Sequence, residues 1–280
     1  MPSSNRSNSR PITIIDAEHQ NSTGRALELW SYRELIWVMI VRDIKVRYKQ
    51  TVMGIAWAVI QPLTMMLIFT LIFGKLAKIP SDGFPYPIFV FSGMLAWNFF
   101  STSVSSAGVS LVGSANLISK VYFPRIIVPI ASIGVSLVDF LIGSFILLVL
   151  MLFYSQPLSW NLLYLPFFLT GLMVASIGVG SWLAAITVTY RDFRFVIPFM
   201  LQVWMYVTPV IYPISSIPEM WRWVLYLNPM YAWINGIRAC FLGQQFDVTG
   251  MMVSSVLSIL IFMLGIFYFD KAQRRFADII

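Results

Sequence analysis

Long apolar runs, separated by short segments rich in polar residues or proline, follow one another along most of this chain. Six of these runs reach the roughly 20 residues that a helix needs to cross a bilayer. They cover residues 53–74, 88–112, 126–153, 162–189, 195–213 and 251–269. The pattern predicts an all-α integral membrane protein, with six transmembrane helices in one domain over residues 27–280.

A further helix is predicted ahead of the first run, over residues 27–50. Its unbroken apolar stretch, Leu35 to Val41, has seven residues and is too short to span a bilayer. Aromatic and aliphatic side chains fall near one face of this helix, namely Trp30, Trp37, Val41, Ile44 and Tyr48. We therefore expect an amphipathic helix that lies along the cytosolic interface of the membrane and leads into the first span.

The segment between the fifth and sixth runs, residues 213–244, is apolar and aromatic but repeatedly interrupted by proline. Pro213, Pro218 and the Asn228-Pro229 pair divide it into pieces that are too short to span. Broken helices at membrane depth are tolerated only against protein or a water-filled cavity. The segment is therefore predicted to form a re-entrant pair of short helices on the outer side, beside a pathway.

Composition and charge support the membrane assignment and give the chain an orientation. Hydrophobic residues make up 58% of the chain and charged residues 11%, against about 25% charged in soluble proteins. In the six-span arrangement, one side of the membrane carries fifteen Lys and Arg residues and the other side four. By the positive-inside rule, both termini are expected in the cytosol. Residues 1–26 lack the apolar core of a secretory signal, and we predict a disordered polar tail there.

Residue types that carry catalytic chemistry are scarce. The chain has one histidine, His19 in the polar tail, and one cysteine, Cys240, so the usual metal centres and nucleophilic constellations are not expected. The stretch Phe73 to Lys75 lacks the upstream Gly and the following Ser or Thr of a phosphate-binding loop. We therefore predict that the chain is not an enzyme and that it binds no metal or cofactor itself. Any ATP hydrolysis is expected to be carried out by another chain.

One ionisable residue, Asp139, lies near the middle of the third run. An ionised carboxylate there costs about 2.5–3.5 kcal/mol on insertion scales, so this side chain is expected to face protein or water. No Lys or Arg is expected at a similar depth. Two interpretations remain open, a gating or pathway residue and a carboxyl bonded to a hydroxyl at a helix contact.

Two shorter patterns also leave alternatives open. The cytosolic loop Ser114 to Arg125 is partly apolar and contains Pro124 near its end, and it is either a plain connector or a docking helix. Gly171, Ala175 and Gly178 recur at helical spacing in the fourth run. Small residues at this spacing allow helices to approach closely, either within one subunit or between two.

Four separated stretches, taken in order, resemble a known family. They are RDIKVRYKQTVMGIAWAVIQP (42–62), LISKVYFPR (117–125), YRDFR (190–194) and LNPM (227–230). Together they resemble the permease subunit of the type-2 ABC exporters, specifically the branch that exports O-antigen and related cell-surface polysaccharides. The resemblance covers about residues 28 to 270 and places the six spans where that family has them.

The resemblance implies roles for several groups of residues, beginning with residues 27–50 as the interface helix. The coupling helix that inserts into the ATPase comprises Ala115, Asn116, Leu117, Ile118, Ser119, Lys120 and Tyr122. The basic residues of the interface helix and of the cytosolic mouth are Arg42, Lys45, Arg47, Lys49, Arg191 and Arg194. Aromatic residues that line the channel, in the first and fifth spans, are Trp57, Phe69, Phe73, Phe199, Trp204, Tyr206 and Tyr212. The outer gate contains Trp221, Trp223, Asn228, Pro229 and Tyr231.

The function implied by the resemblance is ATP-driven export across the inner membrane of a Gram-negative cell. The substrate is an O-antigen polysaccharide on an undecaprenyl-pyrophosphate carrier. The partners are a second copy of the permease and two ATPase subunits, which bind the ATP and Mg²⁺. No nucleic acid partner is expected. The basic residues between Arg42 and Lys49 either attract the pyrophosphate, dock the ATPase or anchor the helix in the membrane.

Other functions remain as alternatives. A teichoic-acid, capsule or small-molecule exporter of the same family fits the same spans. A partner-free channel or secondary transporter usually needs several charged residues inside the membrane, and this chain offers little besides Asp139. An enzyme of lipid-linked sugar synthesis needs clustered carboxylates or histidines, whereas Asp43 and Asp192 stand isolated beside basic residues.

Overall fold

The computed structural model describes residues 29–49, 55–274 and 276, and these residues form helices and connecting segments without a β-strand. The predicted tail, residues 1–26, lies outside the described residues. The helices are α1 (Arg33–Lys49), α2 (Ile55–Phe69), α3 (Tyr86–Gly113), α4 (Ala115–Ile118), α5 (Ile127–Phe153), α6 (Leu165–Thr189), α7 (Phe193–Val207), α8 (Glu219–Tyr226), α9 (Tyr231–Leu242) and α10 (Val248–Gln273). A π-helix, Thr70–Leu76, continues α2, and short 3₁₀ turns occur at Trp160–Tyr164 and Ile214–Ser216.

Five helical segments in the described part of the chain are long and apolar enough to cross a membrane. They are Ala56–Leu76, Tyr86–Gly113, Ile127–Phe153, Trp160–Thr189 and Val248–Gln273. These five coincide with predicted spans, which confirms the all-helical membrane class and five of the six apolar runs.

The remaining predicted span, 195–213, overlaps α7. This helix has 15 residues and a length of about 22 Å, which is less than the thickness of the hydrocarbon core of a bilayer. It ends at Val207, and the next residue, Thr208, has an extended backbone, because the residue before a proline, here Pro209, avoids the helical conformation. The six-span count therefore stays a prediction.

Helix α3 forms the centre of the molecule. In its most apolar 18-residue window 78% of the residues are buried, whereas in the corresponding window of the first span, Ala56–Leu76, only 6% are buried. Around α3 pack α5, α6, α7 and α9, and their shared core contains Phe89, Phe100, Phe140, Phe168 and Phe241. The first span thus stands at the edge of the helix bundle, with few fully buried residues.

Small residues on α6 hold neighbouring helices close to it. A Cβ atom at Gly171 would meet the ring of Trp233 in α9, and one at Gly178 would lie 2.6 Å from the Cα of Phe262 in α10. Ala175, between them, is fully buried. These small residues therefore allow close helix packing within one subunit, which is one of the two roles that their spacing predicts.

Helix α1 packs along α5. Met39 is buried beside Phe123, Ile127 and Val128, and Ile40 lies over Gly134, where a Cβ atom would clash with it. The predicted apolar face is only partly correct. Trp30 and Trp37 are 70% and 65% exposed, on the side away from the bundle. Exposed tryptophans are typical of helices at a membrane–water interface.

Candidate functional site

A cavity of about 450 Å³ lies between the end of α1 and helices α2, α3 and α5. Its volume is in the usual range of ligand pockets. Its wall is mostly aromatic and aliphatic, with six polar side chains, namely Arg47, Tyr48, Gln61, Asn98, Thr102 and Asp139. The cavity thus joins residues from three separate predicted groups, because Arg47 of the interface helix, Trp57 and Phe69 of the channel and the acid Asp139 all line it.

The carboxylate of Asp139 is held by two consecutive residues of α1, and we name these three residues the Asp139 cluster. The Arg47 Nη1 atom lies 2.9 Å from Asp139 Oδ2, and the Tyr48 hydroxyl donates a hydrogen bond to Asp139 Oδ1. Burial, together with this hydrogen bond, raises the pKa of Tyr48, so its hydroxyl remains a donor at neutral pH. Asp139 is therefore a carboxyl bonded to a hydroxyl at a helix contact. The expectation that no basic residue reaches its depth is wrong, because α1 rises along α5 and carries Arg47 to it.

Helix α7 divides the predicted channel residues between two faces. Phe199 and Tyr206 lie on an exposed face with Phe195 and Val203, and each of these four side chains is at least 47% exposed. Trp204 points the other way, with its ring centroid 5.2 Å from that of Phe100. Phe199 and Tyr206 are thus exposed within one subunit, whereas Trp204 packs against α3, and the lining role of these residues stays a prediction.

The remaining predicted channel residues lie on the first span and after α7. Trp57 is 56% exposed, whereas Phe69 and Phe73 are half-buried and their rings are in edge contact, with centroids 5.7 Å apart. Tyr212 is half-buried, and its hydroxyl donates to the carbonyls of Tyr206 and Val207 at the end of α7. Its position therefore caps α7.

The predicted outer gate forms two short helices, α8 and α9, joined at Asn228-Pro229. Trp221 and Trp223 of α8 are exposed, whereas Asn228, Pro229 and Tyr231 are buried. The Tyr231 hydroxyl donates to Asp247 Oδ2 at 2.9 Å. The predicted helix pair is thus present, and its re-entry into the membrane stays a prediction.

Asn228 connects this helix pair to the end of α7. Its Oδ1 atom accepts from Trp204 Nε1 and from the backbone N–H of Met230, each at 3.0 Å. Its Nδ2 atom donates to Thr208 Oγ1 at 2.8 Å. An asparagine is suited to this position because it offers acceptor and donor atoms on one short side chain.

Replacing Asn228 with alanine should destabilise the protein by about 2 kcal/mol, because a buried indole N–H and a buried backbone N–H lose their acceptor. We expect a lower melting temperature in detergent, measured by fluorescence-detected size-exclusion chromatography after heating. The control is Asn116→Ala, since Asn116 is exposed. Equal melting temperatures for the two variants would contradict the proposed role of Asn228.

Arg238, in α9, is a buried cation to which no sequence motif assigned a role. It is 1% exposed, and its Nη2 atom donates to the carbonyls of Pro209 and Val210 at 3.1 and 2.6 Å. Its Nη1 atom donates to Asn235 Oδ1 at 3.1 Å, and its guanidinium lies 4.1 Å from the centroid of the Phe89 ring. A single arginine inside an apolar helix was the available signal. Arg238 joins α9, α3 and the turn after α7.

The predicted coupling segment forms the four-residue helix α4 and the turn after it. Asn116, Ser119, Lys120 and Tyr122 are exposed, and Tyr122 is 78% exposed. Ala115, Leu117 and Ile118 are half-buried, and the last two pack against the apolar cluster that contains Met39 and Phe276. The segment and α1 thus share one packed base and present polar and aromatic side chains outward.

The predicted basic residues differ in whether a nearby carboxylate pairs with them. Arg42 pairs with Asp43 at 2.7 Å and Arg47 pairs with Asp139. Lys45, Lys49, Arg191 and Arg194 are exposed, and the Arg194 guanidinium lies over the Phe195 ring. An anion at this end of the molecule would therefore meet Lys45, Lys49, Arg191 and Arg194 as the less neutralised cations.

Comparison with known proteins gives consistent matches over most of the chain. The ABC-2 type transporter family matches residues 34–242. An O-antigen export system permease protein, RfbA, of Myxococcus xanthus is 29% identical over 254 residues, covering 90% of this chain and 97% of that protein. The protein of the same name from Klebsiella pneumoniae is 26% identical, over 88% and 95%. The polysialic acid transport protein KpsM of Escherichia coli is 25% identical, over 69% and 75%.

Proposed function

Because this chain belongs to the ABC-2 type transporter family, we propose that it is the transmembrane permease subunit of an ATP-driven exporter of lipid-linked O-antigen polysaccharide. In this proposal, two copies of the permease work with two copies of a separate ATPase in the inner membrane, and both termini lie in the cytosol. The similarity to two O-antigen export permeases over at least 88% of the chain carries the proposal.

The exposed faces of the first span and of α7 support a channel between two copies of the chain. On α7, Phe195, Phe199, Val203 and Tyr206 follow one another at intervals of three or four residues, so they form one stripe. Few residues of the first span are fully buried within its own subunit. Aromatic faces suit a sliding polysaccharide, since they contact the C–H faces of sugar rings without fixed hydrogen bonds.

The cytosolic end supports a partner that supplies the energy. The α4 segment projects Tyr122 and Lys120 from a base that also holds α1, so a protein bound there contacts both elements. The free cations Lys45, Lys49, Arg191 and Arg194 favour the approach of an anionic lipid carrier, such as undecaprenyl pyrophosphate.

Purification from native membranes in mild detergent tests the proposal. We expect an ATPase with a phosphate-binding loop to copurify at one copy per permease. We expect Lys120→Glu with Tyr122→Ala to reduce its recovery at least fivefold, while Trp160→Ala, at an 86% exposed tryptophan elsewhere, leaves recovery unchanged. Absence of an ATPase, when a control ABC complex survives the same detergent, would contradict the proposal.

A capsule exporter is the second candidate, and the similarity to the polysialic acid transport protein KpsM favours it. Deletion of this chain distinguishes the two, because each candidate predicts loss of a different glycan from the cell surface. Loss of long-chain lipopolysaccharide with an intact capsule supports O-antigen export. Loss of capsule with normal lipopolysaccharide supports the alternative.

A further inference from the structure

We propose that the Asp139 cluster holds the end of α1 against α5 at the wall of the cavity, so that Arg47 and Tyr48 are positioning residues for transport. The inference rests on the proposed function for its transport consequence. Its structural part, that the cluster fixes the end of α1 on α5, stands on the geometry of this chain alone.

The cluster joins two helices that are distant in sequence. Arg47 and Tyr48 belong to the last turn of α1, and Asp139 belongs to α5. Two other ion pairs, Arg42 with Asp43 and Arg222 with Glu219, each lie within a single helix. Because charge-assisted hydrogen bonds are stronger and more directional than neutral ones, the Asp139 cluster fixes the end of α1 against α5 better than apolar packing does.

The position of the cluster matters because few residues of the first span beside it are fully buried. Only 6% of its most apolar window is buried, and α2 begins at Ile55, six residues after the end of α1 at Lys49. Its far end is held elsewhere, where Gly74 of the π-helix approaches the Tyr86 ring. The cluster therefore provides a fixed point in the cavity wall, beside a span that is itself little buried.

The cluster also lines the cavity beside the first span. Arg47, Tyr48 and Asp139 line it together with Trp57, Gln61 and Phe69 of α2. At its other end, α1 rests on the apolar base that includes Leu117 and Ile118 of the coupling segment. A displacement of that base is therefore carried along α1 to the cavity wall, where the cluster connects α1 to Asp139.

A distance measurement on the permease alone tests the structural part. Spin labels at Lys45→Cys and Leu141→Cys, both exposed positions, report the separation of α1 and α5. With Asp139→Asn or Arg47→Gln, we expect the distance distribution to widen or shift, whereas Arg42→Gln, which breaks a pair within α1, leaves it unchanged. Distributions that coincide in all variants would overturn the inference.

The transport part is tested in the whole complex with its ATPase. We expect Asp139→Asn to lower glycan export at least tenfold, while ATPase recovery and basal ATP hydrolysis stay within twofold of the unmodified protein. The exchanged pair Arg47→Asp with Asp139→Arg should regain at least a third of export. Unchanged export in Asp139→Asn overturns the inference, as does a parallel loss of export and ATPase binding without recovery in the exchanged pair.

Failure of this inference is distinguishable from failure of the proposed function. If no ATPase accompanies the unmodified permease, the proposed function is wrong, and the spin-label distances still decide whether the cluster positions α1. If the ATPase is present and the distances do not change, only the role of the cluster is wrong.

Discussion

Replacing Gly265 with leucine is expected to prevent the accumulation of folded protein. Helix α10 crosses α6 at this glycine, where an added Cβ atom would lie 2.8 Å from the carbonyl carbon of Gly178 and even closer to its oxygen. Overpacking usually costs about 1–3 kcal/mol when side chains can move aside. Here the obstructing atoms belong to the backbone of the neighbouring helix, so the two helices must separate and lose the close packing that holds membrane helices together.

The measurement is the yield of monodisperse protein from mild detergent, followed by size-exclusion chromatography. Gly113→Leu is the matched control, because Gly113 also lies in a helix and an added Cβ atom there meets nothing within 4 Å. We expect a normal yield for Gly113→Leu and a yield at least tenfold lower for Gly265→Leu. Equal yields would show that the α6–α10 crossing is not as close as the structure has it.

Replacing Arg238 with methionine is expected to open the outer helix pair. Methionine fills much of the same space but has no N–H group, so the buried carbonyls of Pro209 and Val210 lose the donors that Arg238 gives them. Each unsatisfied carbonyl costs about 1–3 kcal/mol. The variant Arg238→Lys keeps the charge and one donor group, and we expect it to be intermediate.

The rate at which Cys240 reacts with a thiol reagent measures the effect of replacing Arg238. It is the single cysteine of the chain and is fully buried, so a maleimide reacts with it only when the surrounding helices open. We expect at least a tenfold faster reaction in Arg238→Met. Arg222→Met is the control, because Arg222 pairs with an exposed Glu219 at 3.5 Å, and its reaction rate should stay within twofold. A rate for Arg238→Met equal to that control would contradict the role given to Arg238.

The residues changed in these two predictions hold the helices of the bundle together. The first span differs from them because it is little buried in the bundle. Gly178, Gly265 and Arg238 join helices whose contacts are made by backbone atoms or buried hydrogen bonds. The first span has few fully buried residues. In the proposed exporter, the movable element is therefore expected to be the first span against a rigid body centred on α3.

The length and place of most spans could be predicted from the sequence because they depend on local properties. A run of about 20 apolar residues must form a helix in a bilayer, since its backbone N–H and C=O groups have no other partners there. Predicted and observed limits of the second and third spans accordingly differ by two residues or fewer. The proline pattern likewise predicted two short helices after residue 213, and they are present as α8 and α9.

The tertiary structure alone decided which side chains meet. Whether Trp204 points to a channel or to Phe100 depends on the rotation of α7 about its axis. Neighbouring residues of a helix lie 100° apart around that axis, and in a mostly apolar helix the sequence does not indicate which side faces the protein. The contact of Arg47 with Asp139 joins residues 92 positions apart and requires α1 to run along α5. Arg238 is stabilised by carbonyls that become free only where α7 ends. Span positions follow from local hydrophobicity, whereas these sites follow from helix rotation and packing, which only the assembled fold fixes.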